Sequence, residues 1–343
     1  MNESLPTVTV LIAARPGHAD ITAVTTGRQL DYPRDKLEII VARGKQPSVQ
    51  RNAGMRAARG EIIYFLDDDS APLPGNLRRA AAAFADPKVQ MAGGPNLCPA
   101  DAPFLEQVFA LVHASWLAFG PSRARYARVG RLRESSEKEL ILCNLAARRD
   151  AMLELGGFNE LLYPNEENAL MDELQKRGKL LYDPELFVYR RPRRSLKSFG
   201  KMLLNYGRGR AEQYRLHPTA GSALNFFPPL FCLYLLWLLV LWFLPLPQLD
   251  TSPTAHHGSL PAMICDFLRS ISFVPLWCYG VALVAQAVVL IPQGGVVRSI
   301  CAIPLVILTH LGYGVGFARG LFTSLKSSPD RPKTQVVLET IPL

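Results

Sequence analysis

Charge is what the last third of this chain lacks: residues 223–343 hold six basic and four acidic side chains, against 38 and 29 in the whole sequence of 343 residues. Asp, Glu, Lys and Arg are absent from Leu216 to Leu249, from Ser270 to Val297 and from Ser299 to Ala318. Each window reaches the roughly 20 apolar helical residues that cross a hydrocarbon core about 30 Å thick. That excludes a wholly soluble protein, and a hydrophobic share of 49% excludes disorder. CxxC spacing is also missing. The six cysteines, Cys98, Cys143, Cys232, Cys265, Cys278 and Cys301, are scattered, so neither a disulfide framework nor a zinc site is expected and the thiols suit a reducing compartment. The N-terminus, Met1 to Val10, has no basic stretch followed by a long apolar one. The first domain is therefore expected in the cytosol.

What is present begins with strand and helix signals in alternation. Thr7 to Ala14, Glu38 to Ala42 and Glu61 to Leu66 are β-branched, apolar runs, and Asp20 to Leu30 and Gln50 to Arg59 between them suit helices. This order predicts an α/β fold built on parallel βαβ units, with functional loops at the C-terminal ends of the strands. Leu73 to Phe84, Phe104 to Phe119, Arg149 to Leu155 and Glu166 to Arg177 read as further helices. Val89 to Gly94, Leu180 to Tyr182 and Leu186 to Tyr189 read as short strands, and Pro121 to Arg133, with five arginines, as a mobile loop over a site.

Residues 190–215 carry nine Lys or Arg and one Glu, a net +8 against +9 for the whole chain. Leu196, Phe199, Met202, Leu203 and Tyr206 recur there every three or four residues, which predicts a basic amphipathic helix lying on an anionic membrane face. The expected division is a catalytic domain over 1–189, this interfacial segment over 190–222, about three transmembrane helices within 223–325 and a polar tail over 326–343. The spans are Phe226 to Leu246, Ile271 to Ile291 and Ile300 to Phe322. Gly312, Gly316 and Gly320 form a small-residue stripe that permits close helix packing and hence a homo-oligomeric contact. His310 suits a helix-to-helix hydrogen bond. Three crossings put the C-terminus opposite the catalytic domain, whereas the basic tail favours the same side unless one segment is re-entrant. The basicity abuts an apolar run and lacks a base-reading motif, so it argues against nucleic acid as partner.

The strongest local signal is Asp67-Asp68-Asp69 at the end of Ile62 to Leu66. Three adjacent carboxylates repel one another, and a divalent cation, Mg²⁺ or Mn²⁺ shared with a substrate diphosphate, relieves the repulsion. The alternative is an exposed acidic turn leading into the next helix.

Arg51-Asn52-Ala53-Gly54, Ala57 to Glu61 and Tyr64 to Asp69 together resemble the nucleotide-binding half of family 2 glycosyltransferases, whose fold is GT-A, a Rossmann-like, mostly parallel sheet with flanking helices. Asn144 to Arg149, Gly156 to Glu160 and Asn165-Glu166-Glu167 are similar to the second half in the same order, so the resemblance covers about residues 5 to 215. With Tyr206 to Arg210 and the apolar C-terminal third, the chain looks most like membrane-bound enzymes of exopolysaccharide assembly, the succinoglycan type.

The resemblance implies a hexosyltransferase that inverts the anomeric centre. Asp69 would be a metal ligand, with Asp67 as a second ligand near the nucleotide ribose. Asp68, Ala13, Arg15, Arg43 and Arg51 would line the nucleotide-sugar pocket, and Glu167, with Glu166 as its rival, would be the general base. Simple charge stabilisation at a helix start, about 0.3–1 kcal/mol for each acid, is the competing reading of that pair. Ala42-Arg43-Gly44-Lys45 stands where many relatives have Asp-Asp-Gly-Ser, so base recognition must differ, and the basic residues there either meet diphosphate oxygens or are solvated. The processive QxxRW motif is absent. Arg191 and Arg194 occupy its stretch and, with Asn144, Arg208 and Arg210, are expected at the acceptor or its phosphate. The resulting expectation is transfer of one sugar from a nucleotide sugar to a polyprenyl-diphosphate-linked acceptor, by a multi-pass enzyme of the inner (plasma) membrane with its catalytic domain in the cytoplasm. A polyprenyl-phosphate sugar synthase and a catalytically silent membrane scaffold are the alternatives.

Overall fold

The structure is a computed structural model, and it describes residues 5–160, 166–216, 218, 220–243, 267–324 and 335–343. The apolar runs become strands β1 (Val8–Ala14), β2 (Leu37–Arg43) and β3 (Ile62–Asp67), which pair in parallel in the order 2-1-3. Helix α1 (Thr22–Gly27) follows β1 and α2 (Pro47–Ala57) follows β2. The strands are buried on both faces because helices cover both, and their side chains sort with period two. Ile62, Tyr64 and Leu66 join one core with Leu77, Ala80 and Ala81 of α3 (Asn76–Ala83). Ile63 and Phe65 join a second core with Met55 of α2. Asp67 continues the odd series, so its carboxylate emerges on the α2 side of the sheet.

The sheet extends past β3 through β5 (Val89–Gly93), β7 (Arg133–Glu134), β8 (Asn144–Arg148) and β9 (Lys179–Tyr182), and with β11 (Val337–Thr340) at its far edge it reaches eight strands in the order 11-2-1-3-8-5-9-7. β8 is antiparallel to both β3 and β5. The short strands β4 (Ala71–Pro72), β6 (Asn96–Leu97) and β10 (Val188–Tyr189) form a second sheet. Helices α6 (Arg149–Glu154) and α7 (Glu166–Gln175) lie on the α2 side, where Met152, Leu170 and Leu174 complete the second core. This is the expected α/β sheet of the GT-A type.

The Phe104-to-Phe119 helix breaks at Ser115, giving α4 (Phe104–Ala114) and α5 (Trp116–Phe119), with the Ser115 hydroxyl accepting from the Ala118 N–H. The arginine-rich segment after it is anchored: the Arg125 guanidinium donates to the carbonyls of Glu137 and Lys138 and, at 2.7 Å, to Asn168 Oδ1.

The basic amphipathic segment forms α8 (Leu196–Leu216), and part of its apolar face packs inside the chain while Leu196 and Leu204 stay exposed. Phe199, Met202 and Leu203 are buried against Val108, Phe109 and Val112 of α4 and against the long apolar helix described next. Among the described residues two helices, Ser222–Phe243 and Phe267–Phe322, are long and apolar enough to cross a membrane, and the second holds two of the three expected spans. The first contains α9 (Phe227–Phe243) and the second α10 (Val274–Phe322). Gly295 breaks α10 with φ 74° and ψ 168°. The Tyr279 hydroxyl and His310 Nδ1 lie 2.8 Å apart, although 31 helical residues would separate them by about 46 Å. The two arms of α10 therefore fold back on each other as a hairpin, and His310 makes the expected cross-helix hydrogen bond, with a second to the Leu117 carbonyl at 2.9 Å.

The glycine stripe has its partner within the chain. A Cβ at Gly316 would lie 2.2 Å from the Leu204 carbonyl oxygen, and one at Gly320 would lie 2.5 Å from that of Arg208. This face is filled by α8 and cannot be the expected homo-oligomeric contact, because only backbone against backbone fits there.

Part of the polar tail also has a structural role. Val337–Thr340 forms β11, antiparallel to β2 at the sheet edge, with Arg43 paired to Glu339 at 2.7 Å. The chain after the helical region thus returns to the edge of the eight-stranded sheet.

Candidate active site

The parallel order 2-1-3 leaves a crevice at the C-terminal ends of β1 and β3, the usual ligand position in open α/β sheets. One cavity of 1790 Å³ occupies it, lined at this end by Ala13, Arg15, Asp67, Asp68, Glu166 and Glu167. It runs past Arg208 and Arg210 of α8 and ends among Phe227, Phe231, Tyr279 and His310 of the apolar helices.

Arg51 organises the inner wall. It is buried at 7% exposure on α2, with Nη2 3.0 Å from Asp67 Oδ1 and Nη1 3.2 Å from Glu166 Oε1. The neighbouring Asn52 holds the turn that leads toward α7. Its amide donates to the Phe158 carbonyl at 2.9 Å, and its Oδ1 accepts from the Phe158 N–H at 2.9 Å. Gly157 is required in that turn: its φ is +80°, and a Cβ would stand 2.4 Å from Asn52 Oδ1. The Arg51-Asn52 pair therefore joins the nucleotide half of the fold to the helix bearing the two glutamates.

The two outer acids of the run are neutralised by arginines. Arg190, just after β10, places Nη2 3.1 Å from Asp67 Oδ2 and Nε 2.6 Å from Asp69 Oδ1. Asp68 Oδ2 lies 2.9 Å from His18 Nδ1. Burial alone would raise the Asp67 carboxyl, but Arg190 and Arg51 outweigh it and hold the group below its ordinary value. Asp67 and Asp69 thus present two hard oxygens to a single cation, a donor set that fits Mg²⁺ or Mn²⁺ if a diphosphate and water complete the shell. Among the described residues no group of three or more metal-ligating side chains gathers.

Glu166 and Glu167 open α7 and have different surroundings. Glu166 is 2% exposed, and its Oε2 has no hydrogen-bond partner among the described residues. Burial first, and the neighbouring Glu167 second, push its carboxyl up to about 8. Glu167 is half-buried, lines the cavity and stays out of the Arg51 ion pair. The folded chain holds the Glu166 proton more tightly than the unfolded chain, which ionises near 4.5, so its stabilisation is complete below that pH and is lost as pH rises to about 8. Glu166→Gln keeps the Oε1 acceptor and removes the titration. In thermal melts from about pH 5 to 9 the wild type is expected to lose stability relative to this variant, with the gap closed below about pH 5.

Several expected ligands are engaged elsewhere. Arg43 is turned to the sheet edge, where it pairs with Glu339 and donates to the His18 carbonyl at 2.7 Å, so it is not a diphosphate ligand. Asn144 is fully buried. Its Oδ1 accepts from the Tyr64 hydroxyl at 2.7 Å and its amide donates to the Leu186 carbonyl at 2.6 Å, which removes it from the acceptor set. Arg191 pairs with buried Glu106 of α4 at 2.7 Å, and Arg194 is exposed outside the cavity. Arg51 faces two carboxylates instead of open solvent. Arg208 and Arg210 do line the cavity, Arg210 paired to Glu137 at 3.0 Å. Sequence reasoning missed Arg190 and His18. The first lay in the arginine run but was not singled out from it; nothing local marks the second.

Residues 29–128 match the sequence profile of Glycosyl transferase family 2. Pre-mycofactocin glycosyltransferases from two strains of Mycobacterium tuberculosis are 26% identical over 181 residues, 52% of this chain and 37% of theirs, so the chain spans little more than a third of the length of these curated relatives. Among solved structures, a mannosyltransferase from Pyrobaculum calidifontis in complex with GDP-Man and Mn²⁺ is 15% identical, covering 92% of this chain and 87% of that one with a TM-score of 0.49. TarS residues 1–349 from S. aureus, in complex with UDP, is 12% identical, covering 59% and 64% with a TM-score of 0.40. Residues 29–128 are thus similar to family 2 glycosyltransferases, and they lie in an α/β sheet of the GT-A type.

Proposed function

We propose that this chain transfers one sugar from a nucleotide sugar to a saccharide carried on a polyprenyl diphosphate, working at the cytoplasmic face of the inner membrane in cell-surface polysaccharide assembly. The observation that carries this reading is the single cavity joining the acidic crevice to the apolar helices. A soluble acceptor has no use for its apolar end, whereas a lipid-linked one places its chain among Phe227, Phe231 and Tyr279 and its charged group near Arg208 and Arg210.

In this reading the donor lies over Ala13, Arg15 and Asp67. Glu167 takes the proton of the attacking hydroxyl as that oxygen bonds to the anomeric carbon from the face opposite the leaving group, which inverts the centre. Glu166 stays protonated or paired with Arg51 and fixes the start of α7. A divalent metal held by Asp67 and Asp69 supplies positive charge to the departing nucleoside diphosphate when it is bound.

The test is transfer by the full chain in nanodiscs. A polyprenyl-diphosphate-linked saccharide is expected to react at least about tenfold faster than the same saccharide without its lipid, because binding energy from the remote chain is used at the reacting centre. Equal rates would remove the lipid from the reading, and transfer only to a bare polyprenyl phosphate would make the chain a polyprenyl-phosphate sugar synthase.

A further inference from the structure

We propose that Arg190 is the resident cation of the Asp67 and Asp69 pair, and that a divalent metal binds there only by displacing it. The inference rests on the reading above, in which the acidic crevice receives a nucleotide sugar with its metal. The Asp67 and Asp69 carboxylates turn toward the same point, and the Arg190 guanidinium fills it. Its Nη2 is 3.1 Å from Asp67 Oδ2 and its Nε is 2.6 Å from Asp69 Oδ1. Asp67 has its other oxygen held by Arg51 at 3.0 Å. The oxygen open to contest is therefore the one that Arg190 holds.

The backbone around Arg190 is fixed while its side chain has somewhere to go. The Arg190 N–H donates to the Leu97 carbonyl at 2.9 Å, and the next residue, Arg191, is clamped to Glu106 of α4. The guanidinium itself lines the donor end of the cavity. Displacement is thus a side-chain rotation within the cavity. A metal arriving alone must break two charge-assisted contacts and leave a partly buried guanidinium without an anion. A metal arriving with a diphosphate brings oxygens that give the displaced guanidinium new partners. Metal and nucleotide should consequently bind with positive coupling, each tightening the other by the same factor.

The experiment is an electron paramagnetic resonance titration of Mn²⁺ into the purified full-length chain, with and without UDP or GDP, for the wild type, Arg190→Gln and Asp69→Asn. The wild type is expected to bind Mn²⁺ weakly alone and at least about tenfold more tightly with the diphosphate. Arg190→Gln is expected to bind Mn²⁺ alone about tenfold more tightly than the wild type and to lose most of the nucleotide's enhancement, about 1.4 kcal/mol per factor of ten. Asp69→Asn should bind Mn²⁺ poorly in either condition. Thermal melts establish that the variants are folded. If Arg190→Gln does not fold, Arg190→Lys decides: a compact ammonium cannot bridge both acids as the fork does, so an intermediate gain is expected. Nucleotide-dependent Mn²⁺ binding by the wild type with no gain in the Arg190 variants overturns this proposal alone. No Mn²⁺ binding by any variant, with or without nucleotide, overturns the metal reading and this proposal with it.

Discussion

Changing Glu167 to Gln is expected to slow sugar transfer by about 10²–10⁴-fold, the usual contribution of a positioned general base, while the affinity for the nucleotide sugar stays within a few-fold. The expectation comes from the unequal placement of two neighbouring acids. Glu166 is buried and tied to Arg51, and burial holds its proton at neutral pH. A carboxyl that keeps its proton cannot accept one. Glu167 faces the cavity and is outside that ion pair. Glu166→Gln should therefore cost far less in kcat than Glu167→Gln, with the same donor and acceptor in both assays. The reverse order of losses would assign the base to Glu166, and losses of equal size would mean that the pair acts as a unit.

How much of this was readable beforehand follows from the range of each interaction. The acidic crevice was legible because it is local: Ile63, Phe65 and Asp67 alternate along one strand, and period two carries Asp67 to the side of the sheet that α2 covers. Asn52 and Gly157 were legible as motifs, though not as partners, since 105 residues separate them and only the fold closes the distance. The arginines were harder. Spacing shows that residues 190–194 are basic, but the extended chain after β10 sends Arg190 to the acidic crevice and Arg191 to α4, and no periodicity distinguishes the two. The same applies to Gly316. Small residues every four positions announce a close helix contact, but they do not say whether the neighbour is another chain or α8 of the same one. Counting apolar windows treats each as independent, whereas the hairpin at Gly295 and the return of β11 to β2 are tertiary facts.

Arg51→Met is expected to destabilise the chain by about 3–5 kcal/mol, the range seen when one partner of a buried ion pair is removed and the other charge is left behind. Read from sequence, Arg51 is as well suited to a solvated or diphosphate-facing role, in which case its loss would leave the melting temperature almost unchanged. The geometry separates these outcomes. The Arg51 side chain is 9% exposed and Glu166 is 3% exposed, and Asp67 shares the same guanidinium. Met restores the volume of the stem and nothing of the charge, so the Asp67 carboxylate loses one of its two counter-ions and buried Glu166 loses its guanidinium donor. Adding Glu166→Gln to Arg51→Met should return part of the loss as pH rises toward about 8, where Glu166 would otherwise ionise without a counter-ion, and the non-additivity is expected to be on the order of 0.5–3 kcal/mol for groups in contact. Chemical denaturation with an unchanged slope would establish that the folded state itself has lost stability. If Arg51→Met unfolds at the wild-type midpoint, Arg51 is not the link between Asp67 and Glu166, and the coupling of the donor crevice to the α7 glutamates through a buried guanidinium falls with it.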